Sequence, residues 1–141
     1  MPGCVDGRKV WRNMGEVLVV DDSKTIRMVL RKILRELGYA VCEAADGQEA
    51  LKVMETQKDS VKLVLTDWNM PIMNGLDLLK HLRKDPALAS LVVIMVTTET
   101  ESENMIAALE AGANEYVMKP FTKEILKEKL ELAGIHPLVG Q

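Results

Sequence analysis

Short runs of aliphatic residues and longer stripes of apolar residues at helical spacing take turns along this chain. GEVLVVDDS opens with a β-branched run broken by two aspartates, which predicts a strand ending in a polar loop. Ile26, Val29, Leu30, Ile33, Leu34 and Leu37 then recur at three and four residues, one face of a helix, with Gly38 where a C-terminal cap belongs. YAVCEAA is a second strand, followed by a helix from Asp46-Gly47 that carries Ala50, Leu51 and Met54. VKLVLTD is a third strand. Past the loop of Pro71 and Gly75, Leu76, Leu78, Leu79 and Leu82 mark a third helix that stops before Pro86. LVVIMVTT is a fourth strand, residues 102–111 a fourth helix closed by Gly112, and EYVM a fifth strand. Thr122 caps a last helix that runs to about Ala133.

Five strand–helix alternations, with strands lacking polar alternation, predict parallel strands covered on both faces. Right-handed crossovers then give a doubly wound α/β fold, a flavodoxin-like (βα)5 domain with helices on both faces of a parallel sheet. The domain is expected over 14–134, with an N-terminal extension at 1–13 expected to be flexible and a tail at 135–141.

Composition narrows the function classes. At 141 residues there is room for one domain; 48% apolar and 28% charged residues are ordinary for a globular chain. A net charge of -3 offers no basic footprint for nucleic acid. The runs VLVV and LVVIMV are too short to insert into a bilayer. MPGCVDGRKVWRN has no apolar core of a secretory signal, so a cytoplasmic location is expected. Cys4 and Cys42 form no CxxC pair and are expected to be reduced, with Cys42 in a strand. His81 and His136 stand apart and at no metal-ligand spacing.

In open parallel sheets the working site lies beyond the carboxyl ends of the strands. Those ends here carry Asp21 and Asp22 after the first strand, Asp67 after the third, Thr97 and Thr98 after the fourth, and Lys119-Pro120 after the fifth. Each has an ordinary alternative. Asp21-Asp22 could cap the first helix, Asp67 could open a turn, and Thr97 and Lys119 could be a backbone-bonded hydroxyl and a surface lysine. Their coincidence at one end of four strands favours a site. Three adjacent carboxylates repel unless a cation sits among them, and hard oxygen donors suit Mg2+, with Mn2+ as a substitute. A carboxylate can also attack phosphorus to give an aspartyl phosphate. A flavodoxin-type nucleotide site is disfavoured, because VVDDSKT brings two negative charges to the loop that would cradle phosphate.

VLVVDDS, LVLTDWNMPIMNGLDLL, VIMVTTE and AGANEYVMKPF, in that order and spacing, resemble the receiver domain of two-component response regulators over residues 16 to 133. The single-domain chemotaxis regulators of that family are the most similar. The resemblance implies strand order 2-1-3-4-5 and Asp67 as phosphoacceptor. Asp22, Asp67 and the carbonyl of Asn69 would ligate Mg2+, with Asp21 acting through water. Thr97 and Lys119 would bind the phosphoryl group, Tyr116 would be the aromatic switch, and Asn69 and Glu99 would tune its lifetime. Pro120 matches a cis peptide position. The implied activity is that of a phosphoacceptor switch that catalyses its own phosphorylation and dephosphorylation, not that of an enzyme acting on other molecules.

The implied partners are a histidine kinase or histidine phosphotransfer domain, and an output protein at the face of the fourth helix, fifth strand and fifth helix. That output protein would be a flagellar motor switch or a phosphatase. Glu101 and Ser102 depart from the lysines of the chemotaxis relatives there, while Lys123, Lys127 and Lys129 leave the last helix basic and complementary to an acidic peptide. The tail IHPLVGQ is too short for an output domain, so a stand-alone receiver is expected. Two rival readings are a phosphorelay carrier and a phosphatase of the haloacid dehalogenase type. The latter expects an acidic residue where Asn69 stands and its nucleophile on the first strand.

Overall fold

The computed structural model describes residues 16–98 and 102–135. The expected extension, the tail after Ile135, and Glu99 and Glu101 lie outside the described residues.

Strands β1 (Glu16–Val20), β2 (Ala40–Ala44), β3 (Val61–Thr66), β4 (Val92–Thr97) and β5 (Glu115–Met118) alternate with helices α1 (Lys24–Glu36), α2 (Gly47–Gln57), α3 (Gly75–Lys84), α4 (Ser102–Glu110) and α5 (Lys123–Leu132). The strands form one sheet in the order β2-β1-β3-β4-β5, and every pairing is parallel. This is the doubly wound arrangement that the alternation predicts.

The strands read as unbroken apolar runs because both faces are covered. Leu18, Val20, Val64, Val93, Met95 and Tyr116 belong to one core, completed by Ala50, Leu78, Leu79 and Leu82 of α2 and α3. Val17, Val19, Leu63, Leu65, Ile94, Val96 and Val117 belong to the other, closed by Leu30 and Leu34 of α1 and by Leu126 and Leu130 of α5. Each leucine so enclosed contributes roughly 1.5–3 kcal/mol relative to an exposed one.

Local signals fix the helix starts. Ser23, Asp46, Asn74 and Thr122 each accept a hydrogen bond from the backbone N–H three residues on, as N-caps do. At the far end of α1, Gly38 adopts φ +102°, the left-handed geometry its capping position requires.

Two details differ from expectation. A single 3₁₀ turn at Pro86–Leu88 follows α3, begun by Pro86 in the first-turn position that needs no N–H and capped by Asp85. Three residues are too short to leave a periodic pattern. Cys42 is buried in β2 and is disulfide-bonded, which corrects the expectation of a reduced thiol; without CxxC spacing the bond depends on spatial proximity that sequence does not encode.

Candidate functional site

β1 ends at Val20, and Asp21 continues its ladder by one bond, donating its N–H to Ala44 O at 3.1 Å. The Asp21 side chain is buried at the sheet rim, where Oδ1 accepts the Ser23 N–H at 2.8 Å; Asp22 is exposed beside it. Ser23 caps α1, so the capping alternative for the aspartate pair does not hold.

On the neighbouring strand Asp67 donates its backbone N–H to Val20 O at 2.9 Å, which seats it next to Asp21. Its Oδ1 accepts the Trp68 N–H at 2.7 Å, and its carbonyl accepts the Thr66 hydroxyl at 3.0 Å. Gly75 donates to Trp68 O at 2.9 Å and lies so close that any Cβ there would collide with the Asp67 carbonyl. Asp67 is therefore held by its own backbone before its carboxylate meets any partner, and only 9% of it is exposed.

Thr97, fully buried at the end of β4, gives its hydroxyl to the Asp67 carboxylate. The Lys119 N–H donates to Thr97 O at 2.9 Å, so β5 delivers the lysine to the same rim. Its Nζ lies 2.8 Å from Asp21 Oδ2 and 3.5 Å from Asp67 Oδ2. The Lys119–Pro120 peptide is cis.

The electrostatics follow from this crowding. Burial pushes the Asp67 carboxyl above its ordinary pKa, and the Asp21 charge adds to that. The Lys119 ammonium, the Trp68 N–H and the Thr97 hydroxyl act in the opposite direction without cancelling it. Oxygen atoms of Asp21, Asp22 and Asp67 lie within 4.8 Å of one another. Such a hard, all-oxygen donor set, with one member open to solvent, fits a divalent cation that retains waters.

The sheet thus brings Asp21, Asp22, Asp67, Thr97 and Lys119 together. Asn69 lies exposed in the loop after Asp67, and Tyr116 is buried in β5, paired across to Met95. Glu99 lies outside the described residues. Three contributors were not singled out from sequence. Thr66 and Gly75 hold the Asp67 backbone, as described. Arg27, on α1, donates from Nη1 to the carbonyl of Asp21 at 2.6 Å and from Nε to Glu43 at 3.0 Å. The traces they leave are faint: two arginines four residues apart, Arg27 and Arg31, and a lone carboxylate in the otherwise apolar β2.

Comparison with known proteins places this arrangement. A model of the response regulator receiver domain matches residues 17–131. The chemotaxis protein CheY1 of Helicobacter pylori is 48% identical over 118 residues, covering 83% of this chain and 94% of that protein. A chemotaxis protein CheY homolog of Campylobacter jejuni is 48% identical over 117 residues, covering 82% and 89%. Among solved structures, the chemotaxis protein CheY4 of Vibrio cholerae superposes with a TM-score of 0.76 at 37% identity, covering 84% of this chain and 97% of that one.

Proposed function

The chain belongs to the response regulator receiver domain family, and from that premise we propose that it takes a phosphoryl group from a histidine kinase onto Asp67 and works as a stand-alone switch in chemotaxis or motility signalling. Receiver domains of this kind are signalling switches rather than classical enzymes, and they bind Mg2+ at an acidic pocket. The observation that carries the reading is the convergence of Asp21, Asp67, Thr97 and Lys119, from the ends of four strands, on one rim.

The Trp68 N–H holds Asp67 Oδ1 and leaves Oδ2, on the Lys119 side, to attack phosphorus. A bond from that oxygen to phosphorus forms as the bond from phosphorus to the donor's imidazole nitrogen breaks, and the nitrogen leaves with the electron pair. Such a transfer needs positioning and charge neutralisation more than acid or base chemistry. Asp22, Asp67 and the Asn69 carbonyl would hold Mg2+ or Mn2+, with Asp21 acting through water, and the ion would supply positive charge there. Lys119 shares its ammonium between Asp21 and the incoming phosphoryl oxygens, and Thr97 redirects its hydroxyl from the carboxylate to the phosphoryl group.

That shift of Thr97 couples to Tyr116, which turns within β5 and alters the face made by α4, β5 and α5. Ile106 and Leu109 stand exposed on α4 there, at 54% and 49%, as apolar contacts for an output protein. A flagellar switch or phosphatase is the partner we propose, a reading supported by the chemotaxis relatives, of which this chain spans 94% in the Helicobacter pylori case. Asn69 and Glu99 set the lifetime of the phosphoryl group.

Incubation with acetyl phosphate and Mg2+ tests the reading. The protein gains one phosphoryl group, detected by intact mass, and Asp67→Asn gains none. Sustained hydrolysis of phosphate esters at rates ordinary for enzymes would instead make the protein a phosphatase.

A further inference from the structure

The hold on Asp21 is complete at every polar atom. Its N–H goes to Ala44 O, its Oδ1 takes the Ser23 N–H, its Oδ2 takes Lys119, and its carbonyl takes Arg27. The last of these has a consequence for Asp22. A peptide unit is planar, so the direction of the Asp21 carbonyl fixes the plane that leads into Asp22. Asp22 is exposed, and its approach to Asp21 and Asp67 therefore depends on that plane.

Arg27 is itself held. Its side chain is 16% exposed, its Nη1 lies 2.6 Å from the Asp21 carbonyl, and its Nε lies 3.0 Å from Glu43 Oε1. The other Glu43 oxygen pairs with Arg31 at 3.2 Å, one helical turn further along α1. A carboxylate on β2 thus aims a guanidinium from α1 at the turn after β1. Charge-assisted bonds of this kind are stronger and more directional than neutral ones.

We propose that Arg27, anchored by Glu43, is a positioning residue that orients the Asp21–Asp22 peptide so that Asp22 can serve a divalent cation. The proposal rests on the cation-dependent reading above and extends it to a residue that touches neither the cation nor the phosphoryl group. The sign of the effect separates it from a purely electrostatic role. As a nearby positive charge alone, Arg27 would oppose a second cation, and its removal would tighten binding. As a positioning residue, its removal loosens binding.

Calorimetric titration of the full chain with Mg2+ alone, without any phosphodonor, reads this directly. Arg27→Ala should weaken Mg2+ binding by about tenfold, the usual scale for groups that orient ligands from behind. Arg27→Lys, which restores a cationic donor, should recover part of that loss. Glu43→Gln, which leaves Arg27 in place but loosens its aim, should weaken binding by a smaller factor. With acetyl phosphate, Arg27→Ala should need more Mg2+ for half-maximal phosphorylation and reach the wild-type rate at saturation. Mg2+ affinity unchanged or tighter in Arg27→Ala overturns the proposal. Should Arg27→Ala fail to fold by circular dichroism, unchanged affinity in both Arg27→Lys and Glu43→Gln overturns it equally. A wild-type protein that binds no Mg2+ overturns the cation reading along with it, a result distinct from binding that is insensitive to Arg27.

Discussion

Both ends of the sheet hold charge at least partly out of water, and they settle it differently. At the amino ends of β4 and β5, Arg83 reaches from α3 to Gly112 O at 3.0 Å, Leu88 O at 3.2 Å and Asn114 Oδ1 at 2.9 Å. The same Asn114 oxygen accepts the Val93 N–H at 2.9 Å. Burial lowers the Arg83 pKa, but uncharged acceptors surround the guanidinium in a fixed fork. At the carboxyl ends, Asp21, Asp22 and Asp67 crowd one rim against the ammonium of Lys119. Neutral acceptors complete the first arrangement within the chain. The second gains most from something added, a cation or a phosphoryl group with its cation. A half-buried charge satisfied by dipoles serves stability, and like charges crowded in excess serve chemistry.

The sharpest way to break this contrast is to exchange the expected losses. Asp67→Asn should abolish phosphoryl uptake from acetyl phosphate, whereas Arg83→Met should leave the initial rate at 25 °C unchanged because the two sites share no partners. A loss of uptake in Arg83→Met would show that the two ends are not independent. Next in size is the stability cost of Arg83→Met. It strands the carbonyl of Gly112, while Leu88 O keeps the Leu91 N–H, and should cost about 1–3 kcal/mol in urea unfolding. A cost near zero would mean the fork is ornamental.

The smallest effect has the opposite sign. Without Mg2+, Asp67→Asn should stabilise the fold by about 1 kcal/mol at neutral pH, because it removes a buried charge whose environment disfavours it. The pH dependence follows from linkage. The Asp67 carboxyl is raised by burial above its ordinary value of 3.8, so between that value and its folded pKa the folded state keeps a proton the unfolded chain has lost. Stability from this group is therefore greatest below 3.8 and falls as pH rises through the folded pKa. Urea midpoints across that range should decline with pH more steeply in the wild type than in Asp67→Asn, and saturating Mg2+ should flatten the difference.

Much of this was legible in the sequence, for a physical reason. Parallel strands covered on both faces must be apolar throughout, so VLVV, VKLVL and VVIMV announce themselves. Whatever follows such strands sits at one end of the sheet, so the sequence alone places Asp21, Asp67, Thr97 and Lys119 at one rim. The supports of the site were less legible. The bond from Arg27 to Glu43 joins residues 16 apart, and that from Arg83 to Asn114 joins residues 31 apart; no local pattern marks either pair. Gly75 reads as a loop glycine, and only the position of the Asp67 carbonyl shows why a side chain cannot stand there. Ser23 and Asp21 compete on paper for the cap of α1, and the burial of Asp21 decides for Ser23.

Locating the phosphoryl group tests the central claim most directly. The protein would be treated with acetyl phosphate and Mg2+, the acyl phosphate reduced with borohydride, and the peptides sequenced by mass spectrometry. Conversion of Asp67 to homoserine, dependent on Mg2+ and absent from an untreated sample, is the predicted result. Modification at another carboxylate, with Asp67 intact, would contradict it.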